Sequence, residues 1–328
     1  MSKSAPVLSV RNLHTHFFIP EGRVMAVNGV SFDLMPGSTL GIVGESGSGK
    51  SVMALSLLRL IQPPGRILRG EVWFEGRNLL ELPEAELCQI RGKDIAMILQ
   101  GSATSLNPIM RVGWQVQETV LSHEQVQQRI ASGLAMEALR RAGIPMPDIA
   151  ACLYPSQLSG GMRQRVMVAM AIVLDPKVLI ADEPTSALDA TLQAEILDRI
   201  RRLKRVCGSA VILITHNLGV LAEMADEVAV MYAGSIIEHT DVNTLFKTPL
   251  HPYTAALLDS LPRLDQPDRP LRPIKGMPPS LLDLPDQCAF LPRCHKALSR
   301  CRNEPRPPLE QVSPNHAVAC YNPVWHPS

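Results

Sequence analysis

The stretch Gly44-Glu45-Ser46-Gly47-Ser48-Gly49-Lys50-Ser51 lies between Thr39-Leu40-Gly41-Ile42-Val43 and Val52-Met53-Ala54-Leu55-Ser56-Leu57-Leu58. It fits the pattern G-x-x-x-x-G-K-[ST], with Gly44, Gly49, Lys50 and Ser51 on the fixed positions and Gly47 as an extra hinge. The apolar run before it reads as a short buried strand, and the run after it as a helix with a broad apolar face. Strand, glycine loop and helix in that order make a phosphate cradle. Glycines without Cβ let successive backbone N–H groups curl around an anion, and the helix start adds the positive end of its dipole. In such a loop, Glu45, Ser46, Gly47 and Ser48 supply amides, Lys50 reaches the β- and γ-phosphates, and the Ser51 hydroxyl ligates Mg²⁺. Nucleotide binding is therefore the premise from which the chain is read.

Working outward, 328 residues suffice for a full core, and one large domain with an appendage fits better than two equal ones. The 32 Lys and Arg nearly balance the 31 Asp and Glu, giving a formal charge of +1. That leaves no basic footprint for nucleic acid. Met1 to Pro6 shows neither an apolar stretch nor a cleavage site, so no export signal is expected. The longest apolar run, Val166 to Leu174, is too short to span a bilayer, and a soluble or peripheral protein is expected. Seven cysteines in that setting read as thiols or metal ligands rather than disulfides.

Ahead of the loop, Val7 to Leu13, Val24 to Val27 and Val30 to Leu34 read as strands, with Pro20-Glu21-Gly22 joining a hairpin. Phe17, near the hairpin, either stacks on an adenine ring or packs within its strand. Glu71 to Phe74 and Asp94 to Leu99 read as further strands, the second ending at Gln100. From about Gln115 to Gly143 the apolar residues Val126, Ile130, Leu134 and Leu139 recur at helical spacing, with Gly143 placed as a C-cap.

A second fixed point is Gln157-Leu158-Ser159-Gly160-Gly161-Met162-Arg163-Gln164-Arg165. Ser159 is a natural N-cap for an apolar helix that Asp175-Pro176 stops. Alone, the tetrad is an ordinary helix start; with two glycines at its mouth, it is also a second anion site. Next, Lys177 to Ala181 reads as a buried strand that delivers Asp182 and Glu183 at its carboxyl end. There a carboxylate can hold Mg²⁺, and the next can polarise an attacking water as general base. Ser186-Ala187-Leu188-Asp189 precedes an amphipathic helix from Thr191 to Val206, whose Arg201, Arg202, Lys204 and Arg205 read as a solvated face. The strand Ala210 to Thr215 then ends at His216, placed to contact a γ-phosphate, and strands Glu227 to Tyr232 and Ser235 to Glu238 close the core.

From Leu261 the composition changes, and the last stretch holds half of the 28 prolines. Such a segment packs poorly by itself. It carries Cys288, Cys294, Cys301 and Cys320, a set open to tetrahedral Zn²⁺, to an iron–sulfur cluster or to free thiols, because its spacings match neither zinc ribbons nor ferredoxin runs.

Taken together in this order, Gly44 to Ser51, Gln100, Leu158 to Arg165, Asp182-Glu183, Ser186 to Asp189 and His216 resemble the ATPase subunit of an ABC transporter over about residues 7–260. Finer features are similar to the oligopeptide/dipeptide importers: Thr104-Ser105-Leu106-Asn107-Pro108, Tyr154-Pro155, His251-Pro252-Tyr253-Thr254 and Cys288-Ala289-Phe290 with Pro292-Arg293-Cys294. The resemblance implies an α/β fold: a P-loop NTPase with a RecA-like core, an N-terminal antiparallel β subdomain and a helical subdomain inserted at about 101–171. The ATP-binding domain then spans 1–260, and a Pro/Cys-rich C-terminal extension spans 261–328. It further implies ATP and Mg²⁺ as cofactors, Gln100 as sensor of metal and water, Asp182 on Mg²⁺, Glu183 as base and His216 on the γ-phosphate. In the implied head-to-tail dimer, Ser159, Gly160 and Gly161 of one cassette complete the site on the other. Its implied partners are two transmembrane permeases, a second ABC ATPase and a periplasmic or lipid-anchored solute-binding protein, at the cytoplasmic face of the inner membrane. Members with this extension can carry a [4Fe-4S] cluster, which the resemblance ranks above Zn²⁺ for the four cysteines. Two departures stand out: Gly101-Ser102-Ala103 where an Asp-Pro pair is usual, and Asn217 where Asp is commoner. An ABC ATPase acting on ribosomes or nucleic acid is the rival, and the single cassette and balanced charge argue against it.

Overall fold

A computed structural model describes residues 5–101, 105–186, 189–260 and 273–324. The first strands are β1 (Leu8–Ile19), β2 (Gly22–Leu34), β3 (Thr39–Val43), β4 (Gly65–Phe74), β5 (Arg77–Asn78) and β6 (Ile95–Ile98). There follow β7 (Val178–Asp182), β8 (Ala210–Ile214), β9 (Glu227–Tyr232), β10 (Ser235–Asp241), β11 (Glu310–Ser313) and β12 (His316–Val318). The chain divides into two compact units, one of residues 1–8, 33–39 and 74–214, the other of residues 9–32, 40–73 and 215–328.

In the second unit, β1 sits between β2 and β4. Two residues connect β1 to β2, a link that only antiparallel neighbours can make. Both strands run longer than their apolar patterns suggest. Asn28-Gly29 does not end β2: Gly29 takes φ 81 inside the strand, so the pair is a kink that the bare glycine backbone absorbs. A second run of neighbours is β11-β12-β10-β9-β3. β3 and β9 are parallel, whereas β9, β10, β12 and β11 pair antiparallel in succession. β3 is buried along its whole length, as a strand covered on both faces must be.

The sheet therefore does not stop at β10. β12 joins it in the register Glu238↔Val318, His239↔Ala317 and Thr240↔His316. Packing follows pairing: Phe290, 2% exposed, shares one core with Val43, Leu221, Val230, Tyr232 and Tyr253. At the centre of the junction is Glu238, fully buried. Its carboxylate accepts from the backbone N–H of Leu250 at 2.6 Å and of His251 at 2.8 Å, and lies 2.8 Å from His316 Nε2. A buried carboxylate persists only when its oxygens are satisfied in this way.

The first unit carries β6, β7 and β8 as parallel neighbours, in the register Ile95↔Val178 and Val178↔Ala210. Where the sequence suggests one helical stretch from Gln115 to Gly143, the chain forms two helices, Val112–His123 and Gln128–Arg141. A single helix of that length would run about 44 Å and strand its apolar stripe. Instead Glu124 and Gln127 turn extended, and Val116 and Val120 on one helix and Ala131, Ala135 and Ala138 on the other are all buried. Gly143 ends the second helix as expected, with φ 73, donating to Arg140 O at 2.8 Å while Ile144 N donates to Leu139 O at 3.0 Å. That is the Schellman pattern. Helix Gly160–Ile172 packs against this pair and against β6.

Glu238→Ala should lower stability by about 3 kcal/mol, since it strands two backbone donors and a buried imidazole. Urea unfolding of the full chain measures this. A change under about 1 kcal/mol would show that Glu238 does not tie the C-terminal strand to the sheet.

Candidate functional site

In the second unit the P-loop leaves β3 and enters helix Lys50–Leu57. Glycine is required at both its ends. A Cβ on Gly44 would stand 2.1 Å from Met231 O, and one on Gly49, whose φ is 98, would stand 2.0 Å from Ala26 O. The loop is pinned from outside as well. Ser48 O accepts from Gly234 N, in the β9–β10 turn, at 3.0 Å, and Glu45 N donates to the Tyr253 hydroxyl at 2.9 Å. Lys50 Nζ folds over the loop, donating to Gly44 O at 2.8 Å, Glu45 O at 2.9 Å and Ser48 Oγ at 3.2 Å. A buried ammonium held on its own loop's carbonyls stands where an incoming phosphate would meet it.

The Glu45 carboxylate is gripped by Arg293 Nη1 at 2.8 and 3.1 Å, and the same nitrogen donates to the Tyr232 hydroxyl at 3.2 Å. Burial of the tyrosines pushes the Tyr232 phenol up, so it stays neutral and accepts. Tyr232, Tyr253 and Phe290 stack behind this contact with ring centroids 4.5 to 5.5 Å apart. Tyr253 and Arg293 were visible in the sequence only as parts of short motifs. Nothing in their local pattern points to Glu45, which lies 208 and 248 residues away.

β1 crosses the P-loop helix, with Thr15 Oγ1 2.7 Å from Ser56 Oγ. Phe17, half-buried, lies beside Gly65, where a Cβ would come within 2.7 Å of its ring. His216, exposed, follows β8, and Asn217 caps helix Leu218–Met224 by accepting from Gly219 N at 2.9 Å. A cap needs only a side-chain oxygen, so Asn serves where Asp is commoner.

In the first unit, Asp182 ends β7 and is 3% exposed. Glu183 follows with φ 47, its N–H donating to Ile214 O at 2.9 Å. That left-handed turn sets its carboxylate against Gln100, whose Nε2 donates to Glu183 Oε2 at 2.8 Å. The structure thus brings together two residues 83 apart in sequence. Ser159 caps helix Gly160–Ile172, accepting from Met162 N at 3.2 Å, and Gly161 lies close against Leu192. Asp189 caps helix Ala190–Cys207 through Thr191 N and Leu192 N, both at 3.0 Å. Ala187, Leu188 and the Ser102-Ala103-Thr104 stretch lie outside the described residues.

Cys288, Cys294, Cys301 and Cys320 line a single small pocket, walled by Phe290, Leu291, Pro252 and Pro307. Every one of these sulfurs faces backbone amides. Leu298 N donates to Cys301 at 3.5 Å and Asn322 N to Cys320 at 3.3 Å, while Phe290 and Leu291 serve Cys288 and Lys296 serves Cys294. Burial pushes the Cys288, Cys294 and Cys320 thiols up, Cys320 to about 12. Among the described residues, no three His, Cys, Asp or Glu side chains close into a single-ion site.

Residues 27–186 match the ABC transporter family, and residues 237–301 match the C-terminal region of the oligopeptide/dipeptide transporter family. The oligopeptide transport ATP-binding protein OppD of Salmonella typhimurium is 47% identical over 97% of this chain and 94% of its own. The chain belongs to the ATP-binding subunits of the oligopeptide/dipeptide ABC transporter family. A probable peptide ABC transporter ATP-binding protein of Sinorhizobium fredii is 48% identical over 97% of this chain and 96% of its own. The dipeptide transport ATP-binding protein DppD of Lactococcus lactis is 47% identical over 94% and 89%. Among solved structures, the dimeric ABC transporter cassette MJ0796 superposes with a TM-score of 0.65 at 26% identity, covering 72% of this chain and 98% of that one. A second MJ0796 dimer, bound to ADP and phosphate, aligns equally well. The cassette fold and the ATPase chemistry expected from the motifs both stand.

Arg293→Ala should weaken ATP binding about five- to tenfold, because Glu45 loses its partner and the loop its outer anchor. Nucleotide titration by fluorescence checks this. An unchanged Kd would mean that the ion pair does not shape the loop.

Proposed function

We propose that this ATPase powers the uptake of peptides or a related small solute from the cytoplasmic face of the inner membrane, to which it attaches peripherally. Two transmembrane permeases, a second ABC ATPase and a periplasmic or lipid-anchored solute-binding protein complete the transporter. The observation that carries this reading is that the segment matching the oligopeptide/dipeptide region also holds the P-loop, through Tyr253 and Arg293. The names of the relatives, which are oligopeptide and dipeptide transport proteins, support the cargo class. No helix among the described residues is long and apolar enough to cross a membrane, in keeping with separate permeases.

The catalytic cycle follows from the side chains. The amides of Gly44 to Gly49 and the Lys50 ammonium take the phosphates, and Phe17 stacks on the adenine. Ser51 and Asp182 offer the hard oxygen ligands that suit Mg²⁺, which neutralises charge developing on the phosphates. Gln100 orients the Glu183 carboxylate, and Glu183 takes the proton of the attacking water. His216 contacts the γ-phosphate. Ser159, Gly160 and Gly161 present a capped helix start to the loop of the opposing cassette in a head-to-tail dimer; MJ0796 was itself solved as a dimer.

We read the four cysteines as the ligands of a [4Fe-4S] cluster. They surround one apolar pocket and accept backbone N–H groups, the environment that holds thiolate sulfur around such clusters. Zn²⁺ would need all four sulfurs drawn onto one ion at about 2.3 Å.

Glu183→Gln should keep ATP affinity and cut hydrolysis at least about 100-fold, read by phosphate release. Near-normal turnover would remove Glu183 from the base role. Purification from native membranes in mild detergent should bring down two multi-span permeases with a second ATPase; recovery with ribosomes or nucleic acid instead would overturn the transport reading and leave the ATPase chemistry intact. Anaerobically prepared protein should carry about four irons per chain with broad visible absorption, both lost in Cys301→Ser. Colourless protein with one zinc per chain would sink the cluster.

A further inference from the structure

Alternation along β1 puts Thr15 on the face toward the P-loop helix and His14 and His16 on the opposite face. That opposite face opens on a cavity of about 1070 Å³, bounded on its far side by the C-terminal segment and lined by none of the residues assigned to ATP. Pockets that hold small molecules span about 300–1,000 Å³, so this one has room for a molecule of nucleotide size.

Its polar lining is one-sided. Arg23, Arg69 and Arg306 face a single carboxylate among the described residues of the lining, Asp286. His16 is 5% exposed, and neither of its ring nitrogens has a hydrogen-bond partner among the described residues. A buried imidazole left unpaired costs about 1–3 kcal/mol, a cost that a ligand with acceptor atoms would remove. Close by, Arg306 and His14 converge over the bare face of Gly29. A Cβ built there would lie 3.1 Å from Arg306 Nη2 and 3.5 Å from His14 Nε2. Arg306 is itself aimed, its Nη1 donating to Asn28 O at 3.0 Å and Ser235 Oγ at 2.7 Å. Burial first, then Arg69, His16 and Arg306, holds His14 down at about 4, in keeping with a positive field in the cavity. Leu284, Pro307 and Leu309 give an apolar wall.

We propose that this cavity is a second ligand site, which binds a phosphorylated small molecule with an apolar or ring portion. Guanidinium forks and imidazole N–H groups match the dense acceptors of a phosphate or diphosphate, and three arginines against one aspartate leave an excess of positive charge for a multiply charged anion. A monocarboxylate would satisfy only part of this donor set. The apolar wall covers the remainder of the ligand. The chemistry of the cavity is independent of what the transporter carries.

The test uses the full chain with its P-loop saturated by Mg²⁺ and a non-hydrolysable ATP analogue, titrated calorimetrically with inorganic pyrophosphate. One pyrophosphate per chain is expected, with Kd tighter than about 1 mM. Arg69→Glu, at an exposed position, and His16→Phe, which fills the cavity and removes its donors, should each weaken pyrophosphate at least about tenfold. The ATP analogue should bind both variants as it binds the wild type, which also reports that they fold. Absence of a second site, equal affinity in both variants, or capture by phosphatidic acid vesicles without binding of soluble pyrophosphate would overturn the proposal.

Discussion

A glycine loop that wraps phosphate has no side chains with which to hold its own shape. The amides that bind the anion must be in place before it arrives, or the ordering cost, about 1–2 kcal/mol per residue, comes out of the binding energy. Here the constraint is met by contacts from distant parts of the chain: the β9–β10 turn on Ser48, the Tyr253 hydroxyl on Glu45 N and Arg293 on the Glu45 carboxylate. Each neutral hydrogen bond contributes about 1 kcal/mol, whereas the charge-assisted pair contributes more because Arg293 is nearly enclosed, with 6% of its side chain exposed. The glycine loop is therefore shaped by the C-terminal segment.

That segment is proline-rich, a composition that packs poorly by itself. It becomes ordered by using what the second unit already offers. β12 satisfies the open edge of β10, Phe290 enters the core that contains Val43, and His316 completes the coordination of Glu238. An unpaired sheet edge invites aggregation, and the chain's own terminus moves the edge out to β11, a strand of only four residues that carries Glu310. Cys288 and Cys294 flank Phe290 and Arg293, so two of the four cysteines lining the pocket and the P-loop anchor belong to one short stretch of backbone.

The features legible in the sequence were those whose physics is local. Gly44 to Ser51, the Ser159 cap, the Gly143 stop and the carboxylates after β7 each declare themselves within about ten residues, because turn chemistry and capping are short-range. The kink at Asn28-Gly29 reads as a break, since an Asn-Gly dipeptide signals a turn and a strand irregularity alike. The fold-back at Glu124 to Gln127 had no glycine or proline to mark it; tertiary burial of the two apolar stripes decided it. Glu45 with Arg293, Gln100 with Glu183 and Glu238 with His316 are long-range pairs, and no window along the chain contains both partners. His14 and His16 read simply as strand residues until the C-terminal segment closes the far side of their cavity.

β1 is where these features meet. Because side chains alternate with a period of two, the strand that carries Thr15 and Phe17 on one face must carry His14 and His16 on the other, and a slip of one residue would exchange them. Thr15 fixes the register against Ser56 of the P-loop helix, and Ser31 Oγ fixes it at Asn12 N, 2.8 Å away. The two faces cannot move separately. A ligand that pairs the imidazole of His16 therefore stiffens the strand that positions Phe17, and the coupling needs no change of shape, only the loss of freedom in a shared backbone.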